Sequence, residues 1–198
     1  MSSKIITLPN LLTFLRMALI PVFATLLFYG WSGWALTVFF FAGASDGIDG
    51  FLARRLNQQS ELGTILDPIA DKLLMTTAFI ILTLPNVLFP VKHLPVPFWV
   101  TAAVIGRDVL IITVAGAIHV MTGFRGFRPS WLGKASTLVQ ISAVGLILIA
   151  AVFPSLESFY LPTVYTIVVA LAFISGVHYI FYVAHLMSEE KQAESQNL

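Results

Sequence analysis

No cysteine occurs among the 198 residues, which excludes disulfides and thiolate metal sites and leaves the redox compartment unread. Charge is scarce as well. Asp, Glu, Lys and Arg make up 11% of the chain, against about 25% in a typical soluble domain. The 11 basic and 10 acidic residues nearly cancel, to +1, and no nucleic-acid partner is expected. The opening stretch MSSKIITLPN lacks the short apolar segment and small-residue cleavage site of a signal peptide, so none is expected. His93, His119, His178 and His185 are scattered and bear no convincing relation to the acidic residues, so a metal role is not expected of them. There is no internal repeat and no sign of a second domain.

What fills the chain instead is apolar surface: 58% of the residues are hydrophobic and the mean hydropathy is +0.89. Lipid offers no partner to an unpaired backbone amide, so a spanning segment must be a helix or part of a closed barrel. Long aliphatic runs without period-2 alternation select helices. The expected fold is an all-α integral membrane protein, a bundle of six transmembrane helices at about 8–29, 34–56, 65–84, 97–119, 133–153 and 162–186. Lys4, Arg54, Arg55, Arg125, Arg128, Lys134 and Lys191 would fall on one side and only Lys92 on the other. The excess of positive charge on cytoplasmic loops places both termini in the cytoplasm. Trp31, Trp34, Trp99, Trp131 and Tyr160 sit near predicted span ends, as interfacial aromatics do. Residues 1–186 read as one transmembrane domain and 187–198 as a polar, frayed cytoplasmic tail.

Against this background one segment stands out: SDGIDGFLARRLNQQSELGTILDPIADK, residues 45–72. Asp46 and Asp49 are three apart and Asp67 and Asp71 four apart, so each pair shares a helix face. A polar hairpin between them would return the third span beside the second. Four ionised carboxylates gathered at partial membrane depth repel one another and lose hydration unless cations join them. Oxygen-only ligands select hard ions such as Mg²⁺, Mn²⁺ or Ca²⁺. Two carboxylates from each of two helices suit a pair of metals of the kind that clamps attacking and leaving oxygens in phosphoryl chemistry. Gly43, Gly47, Gly50, Ala53 and Gly63 remove bulk here, and Arg54 is placed for a phosphate. Pro68 predicts that the third helix begins near Asp67, with the proline in its first turn and the carboxylate as a cap.

The pattern D-x2-D-G-x2-A-R-x8-G-x3-D-x3-D is complete in Asp46, Asp49, Gly50, Ala53, Arg54, Gly63, Asp67 and Asp71. It resembles the signature of the CDP-alcohol phosphotransferase family. The opening LPNLLTFLRMALIP, the chain length and the six spans extend the likeness over nearly the whole chain. The resemblance implies an enzyme of phospholipid synthesis that binds CDP-diacylglycerol through two divalent ions, Mg²⁺ or Mn²⁺. An alcohol attacks the lipid-side phosphorus and CMP leaves. By position, Asp46, Asp49, Asp67 and Asp71 would ligate the metals, and Asp71 would also be the general base. Gly50, Ala53 and Gly63 would lie against the CDP moiety and Arg54 would hold phosphate. It also implies a homodimer, here expected in a bacterial inner membrane with the active site facing the cytoplasm.

For the acceptor, Arg107 and Asp108 lie about ten residues into the fourth span, where an ionisable residue is a functional candidate. Two readings stand: an internal pair that tethers helices, or Arg107 as a contact to the acceptor. Lys134, Arg125 and Arg128 would complete a basic mouth suited to an anionic acceptor. Within the family this points to glycerol 3-phosphate, giving phosphatidylglycerophosphate. Synthases of that product commonly show Arg-Glu where this chain has Arg107-Asp108. The run GRDVLII with the later RPSWLGKASTLVQ looks similar to cardiolipin synthases, whose acceptor is phosphatidylglycerol.

Several residues have plainer explanations. Asn10 and Arg16 line the site or, for the arginine, snorkel to interfacial phosphates. Lys72 offsets the neighbouring carboxylates and is not expected to act as a nucleophile. For the aspartates themselves the rivals are a cation route through a small transporter and an intramembrane prenyltransferase. A carrier has no evident need of Arg54 and the glycines at these spacings, and prenyltransferases resemble two separated Asp-rich helices in a longer chain.

Overall fold

The computed structural model describes the backbone of residues 8–55, 61–84, 96–122, 131–153 and 157–196. Side chains are described within these ranges except at 8–9, 46–55, 61–62, 64–65, 119, 121–122, 157–159 and 189–196. Every described element is an α-helix: α1 Leu8–Phe28, α2 Ser32–Arg55, α3 Glu61–Thr83, α4 Phe98–Thr122, α5 Trp131–Val152 and α6 Glu157–Gln196. Among the described residues, four stretches are long and apolar enough to cross a membrane: Asn10–Phe28, Phe98–Ile118, Trp131–Val152 and Tyr160–Ser188. In α2 the apolar stretch Ser32–Ser45 is shorter. The two remaining helices, α2 and α3, carry Asp46, Asp49, Asp67 and Asp71.

The chain forms two compact units. One comprises Met1–Pro97 with Val144–Leu161, the other Phe98–Ala143 with Pro162–Leu198. In the first, α1 packs on both α2 and α3. A three-residue link, Tyr29 to Trp31, joins α1 to α2, closed by hydrogen bonds from Gly30 N to Leu27 O (3.0 Å) and from Trp31 N to Leu26 O (2.8 Å). This is the double bond pattern of a Schellman C-cap. It requires Gly30 at φ 75°, the left-handed region that a Cβ disfavours. So short a link makes α1 and α2 antiparallel neighbours, with Phe23 against Phe39 at a ring separation of 5.8 Å. On α3, Ala70, Leu74, Ala78 and Leu82 recur every fourth residue and all are buried.

In the second unit the buried residues of α4 are Val100, Thr101, Val104 and Arg107, and those of α6 include Val168, Ala172, Ser175, Tyr179 and Val183. Spacings of three and four again mark one inward stripe per helix.

Two expectations are corrected. The third helix does not begin near Asp67: α3 starts at Glu61 and Pro68 lies inside it. Proline there removes only the bond that residue 68 would donate to the carbonyl of residue 64, a loss that apolar helices with close neighbours tolerate. The polar C-terminal stretch is helical as far as it is described, since α6 continues to Gln196. Residues 188–196, SEEKQAESQ, contain good helix formers and neither glycine nor proline.

Gly30→Ala is expected to cost roughly 1–2 kcal/mol, because it forces a Cβ into the left-handed region. Thermal unfolding of the detergent-solubilised protein checks this, and an unchanged midpoint contradicts it.

Candidate functional site

Asp67 is reached from α1. Its stripe of Asn10, Thr13 and Arg16 is polar, yet each is only 1% exposed. Thr13 Oγ1 donates a 2.5 Å hydrogen bond to Asp67 Oδ1, joining α1 to α3 across 54 residues of chain. Asp71 follows Asp67 by one turn, and both are half-buried. Gly63, the glycine of the pattern on α3, is buried. Lys72 is half-buried beside Asp71.

Asp46, Asp49, Gly50, Ala53 and Arg54 are on the last three turns of α2, and their side chains lie outside the described ones. The backbone register is informative all the same. From the Phe23–Phe39 pair, ten residues back along α1 reach Thr13 and ten forward along antiparallel α2 reach Asp49, about 15 Å each way. The α2 backbone at Asp49, with Asp46 a turn away, is thus level with the Thr13–Asp67 bond.

Among the described residues, no three His, Asp or Glu side chains gather to hold a metal. Two of the four expected ligands are outside that set. The donors that are described have the right chemistry: carboxylate oxygens on consecutive turns of one helix face suit a hard divalent cation.

The second unit contains a different polar centre. Arg107 is 8% exposed. Its Nη1 pairs with Asp108 Oδ1 at 2.7 Å, and its Nε and Nη2 donate to Ser175 Oγ on α6 at 3.3 and 2.9 Å. Nη2 also reaches the Gly133 carbonyl on α5 at 3.3 Å. The guanidinium therefore braces three helices of this unit, the geometry of a tether. Lys134, one residue beyond Gly133, is exposed. Arg125 and Arg128 lie outside the described residues.

Sequence reasoning missed Thr13 and Ser175. The spacing Asn10-x2-Thr13-x2-Arg16 in an apolar run was a usable signal for the first. Ser175, set among apolar residues of α6, gave none for the second.

Removing Asp108 leaves a buried guanidinium without its counter-charge. Asp108→Ala is expected to destabilise by about 3–5 kcal/mol, read as a lower unfolding midpoint in detergent. A midpoint equal to that of the parent protein contradicts the tether.

Comparison with known proteins places these residues in a wider group. The chain is 32% identical over 191 residues to a cardiolipin synthase (CMP-forming)/mitochondrial hydrolase fusion protein of Schizosaccharomyces pombe, covering 89% of this chain but only 31% of the fusion protein. It is 34% identical over 155 residues to a cardiolipin synthase (CMP-forming) of Streptomyces coelicolor, covering 75% of this chain and 68% of that one. It is 36% identical over 149 residues to a CDP-diacylglycerol–glycerol-3-phosphate 3-phosphatidyltransferase of Pseudomonas fluorescens, covering 71% of each. Residues 6–187, which include the starts of all six described helices but not the last polar turns of α6, match the CDP-alcohol phosphatidyltransferase domain. With the full acidic pattern inside that match, the chain belongs to the CDP-alcohol phosphatidyltransferase family.

Proposed function

We propose that this protein transfers a phosphatidyl group from CDP-diacylglycerol to a glycerol hydroxyl of an anionic acceptor, with release of CMP. The observation that carries the reading is the uninterrupted acidic pattern from Asp46 to Asp71 on two helices inside a family match of nearly full length. In this reading all six helices span a bacterial inner membrane, with both termini and the site on the cytoplasmic side. The transmembrane domain is residues 1–186 followed by a cytoplasmic segment 187–198, and the protein works as a homodimer.

Asp46, Asp49, Asp67 and Asp71 would hold two divalent ions, Mg²⁺ or Mn²⁺. When bound, such ions neutralise a diphosphate and stabilise the charge on a departing phosphate oxygen. Gly50, Ala53 and Gly63 leave room for the CDP moiety and Arg54 holds phosphate. Asp71 takes the proton of the acceptor hydroxyl. The hydroxyl oxygen then forms a bond to the lipid-side phosphorus, and the bond from that phosphorus to the bridging oxygen breaks with its electron pair leaving on CMP.

Glycerol 3-phosphate is one acceptor, supported by the basic residues Lys134, Arg125 and Arg128 and by the Pseudomonas fluorescens relative. A specific observation favours a second, phosphatidylglycerol: the Schizosaccharomyces pombe and Streptomyces coelicolor relatives are cardiolipin synthases, and the chain has Arg107-Asp108 in α4. Both acceptors offer a primary glycerol hydroxyl with a phosphate at the far end of the glycerol.

Purified protein given labelled CDP-diacylglycerol and each acceptor, with and without Mg²⁺ or Mn²⁺, tests the proposal. Metal-dependent CMP release with one acceptor is expected, and CMP release without metal overturns the mechanism. Asp49→Asn should abolish turnover, and Asp71→Asn should cut it by roughly 10²–10⁴-fold with nucleotide binding partly kept. Arg107→Ala separates the two readings of that residue. A raised acceptor KM assigns it to the acceptor, whereas lost stability with unchanged KM leaves it a tether. Cation flux in liposomes without CMP formation would show a transporter instead.

A further inference from the structure

Threonines in these helices have a common habit. Thr25, Thr37, Thr83, Thr137 and Thr166 each donate the side-chain hydroxyl to the carbonyl four residues earlier in the same helix. This local bond satisfies a hydroxyl in apolar surroundings. Thr13 differs: its hydroxyl reaches a carboxylate on another helix. It does so from a position 1% exposed, in the polar stripe of α1 that faces inward with Asn10 and Arg16.

We infer that Thr13 is a positioning residue for the metal site, holding Oδ1 of Asp67 so that the orientation of the whole carboxylate, and with it Oδ2, is fixed for a divalent ion. This rests on the metal reading proposed above. A free aspartate in a helix turns about two side-chain bonds and offers its lone pairs in many directions. A donor on one oxygen removes that freedom before an ion arrives. Groups that orient a ligand in this way typically change metal affinity or activity 10–100-fold when removed. The bond also ties the orientation of the carboxylate to the packing of α1 on α3. Thr13 touches neither substrate nor reacting atoms in this account. Its effect passes through Asp67.

Valine has the shape of threonine without the donor, and serine keeps the donor without the methyl. Mn²⁺ binding to the purified full-length protein in detergent with CDP present, followed by the electron paramagnetic resonance signal of free Mn²⁺, reads affinity without turnover. Thr13→Val is expected to weaken Mn²⁺ binding about 10–100-fold with its unfolding midpoint in the absence of metal little changed, and Thr13→Ser to bind close to the parent protein. If Thr13→Val binds Mn²⁺ as the parent does, or if valine and serine weaken it equally, the positioning role is overturned and the side chain only packs. If the parent protein itself binds no Mn²⁺, the metal reading falls and takes this inference with it.

Discussion

A carboxylate that lies below the headgroups must be met by positive charge or by hydrogen-bond donors, because hydrocarbon supplies neither. Residues 45–72 contain five acids, Asp46, Asp49, Glu61, Asp67 and Asp71, against three bases, Arg54, Arg55 and Lys72, a local charge of −2 in a chain whose total is +1. Within residues 45–72 the basic side chains do not balance the acidic ones. Thr13 supplies one donor to Asp67, and in the proposed reading divalent ions join the carboxylates. The small residues nearby then have a purpose, since a nucleotide diphosphate brought to such ions needs room beside the backbone.

Arg107 shows the opposite solution to the same problem. Its counter-charge is the next residue, and its remaining donors are directed to Ser175 and the Gly133 carbonyl. A counter-charge one residue away and donors directed to two neighbouring helices stabilise a helix arrangement.

Most of the helical layout was legible because hydropathy reports it directly: each of the six apolar runs became a helix whose core matched the expected range. The ends were less legible. Hydropathy falls at Ser188 while helix propensity continues through Glu189, Glu190 and Lys191, so α6 outlasts its apolar segment. Pro68 reads as a helix start in isolation, yet a proline costs a buried helix little when its neighbours absorb the missing bond. At the site, the carboxylates announced themselves through spacing and through their rarity in an apolar chain. Thr13 and Ser175 did not, because most hydroxyls in such helices bond their own backbone and carry no periodic signal of a distant partner.

The central claim is that carboxylates from α2 and α3 meet around two metal ions. Crystals of the protein grown with Mn²⁺ and CDP, measured at the manganese absorption edge, test it most directly. The account predicts two anomalous peaks about 3.5–4 Å apart, each in contact with carboxylate oxygens from the set Asp46, Asp49, Asp67 and Asp71. A map with no manganese among these side chains, or with the α2 and α3 carboxylates pointing away from one another, would contradict it.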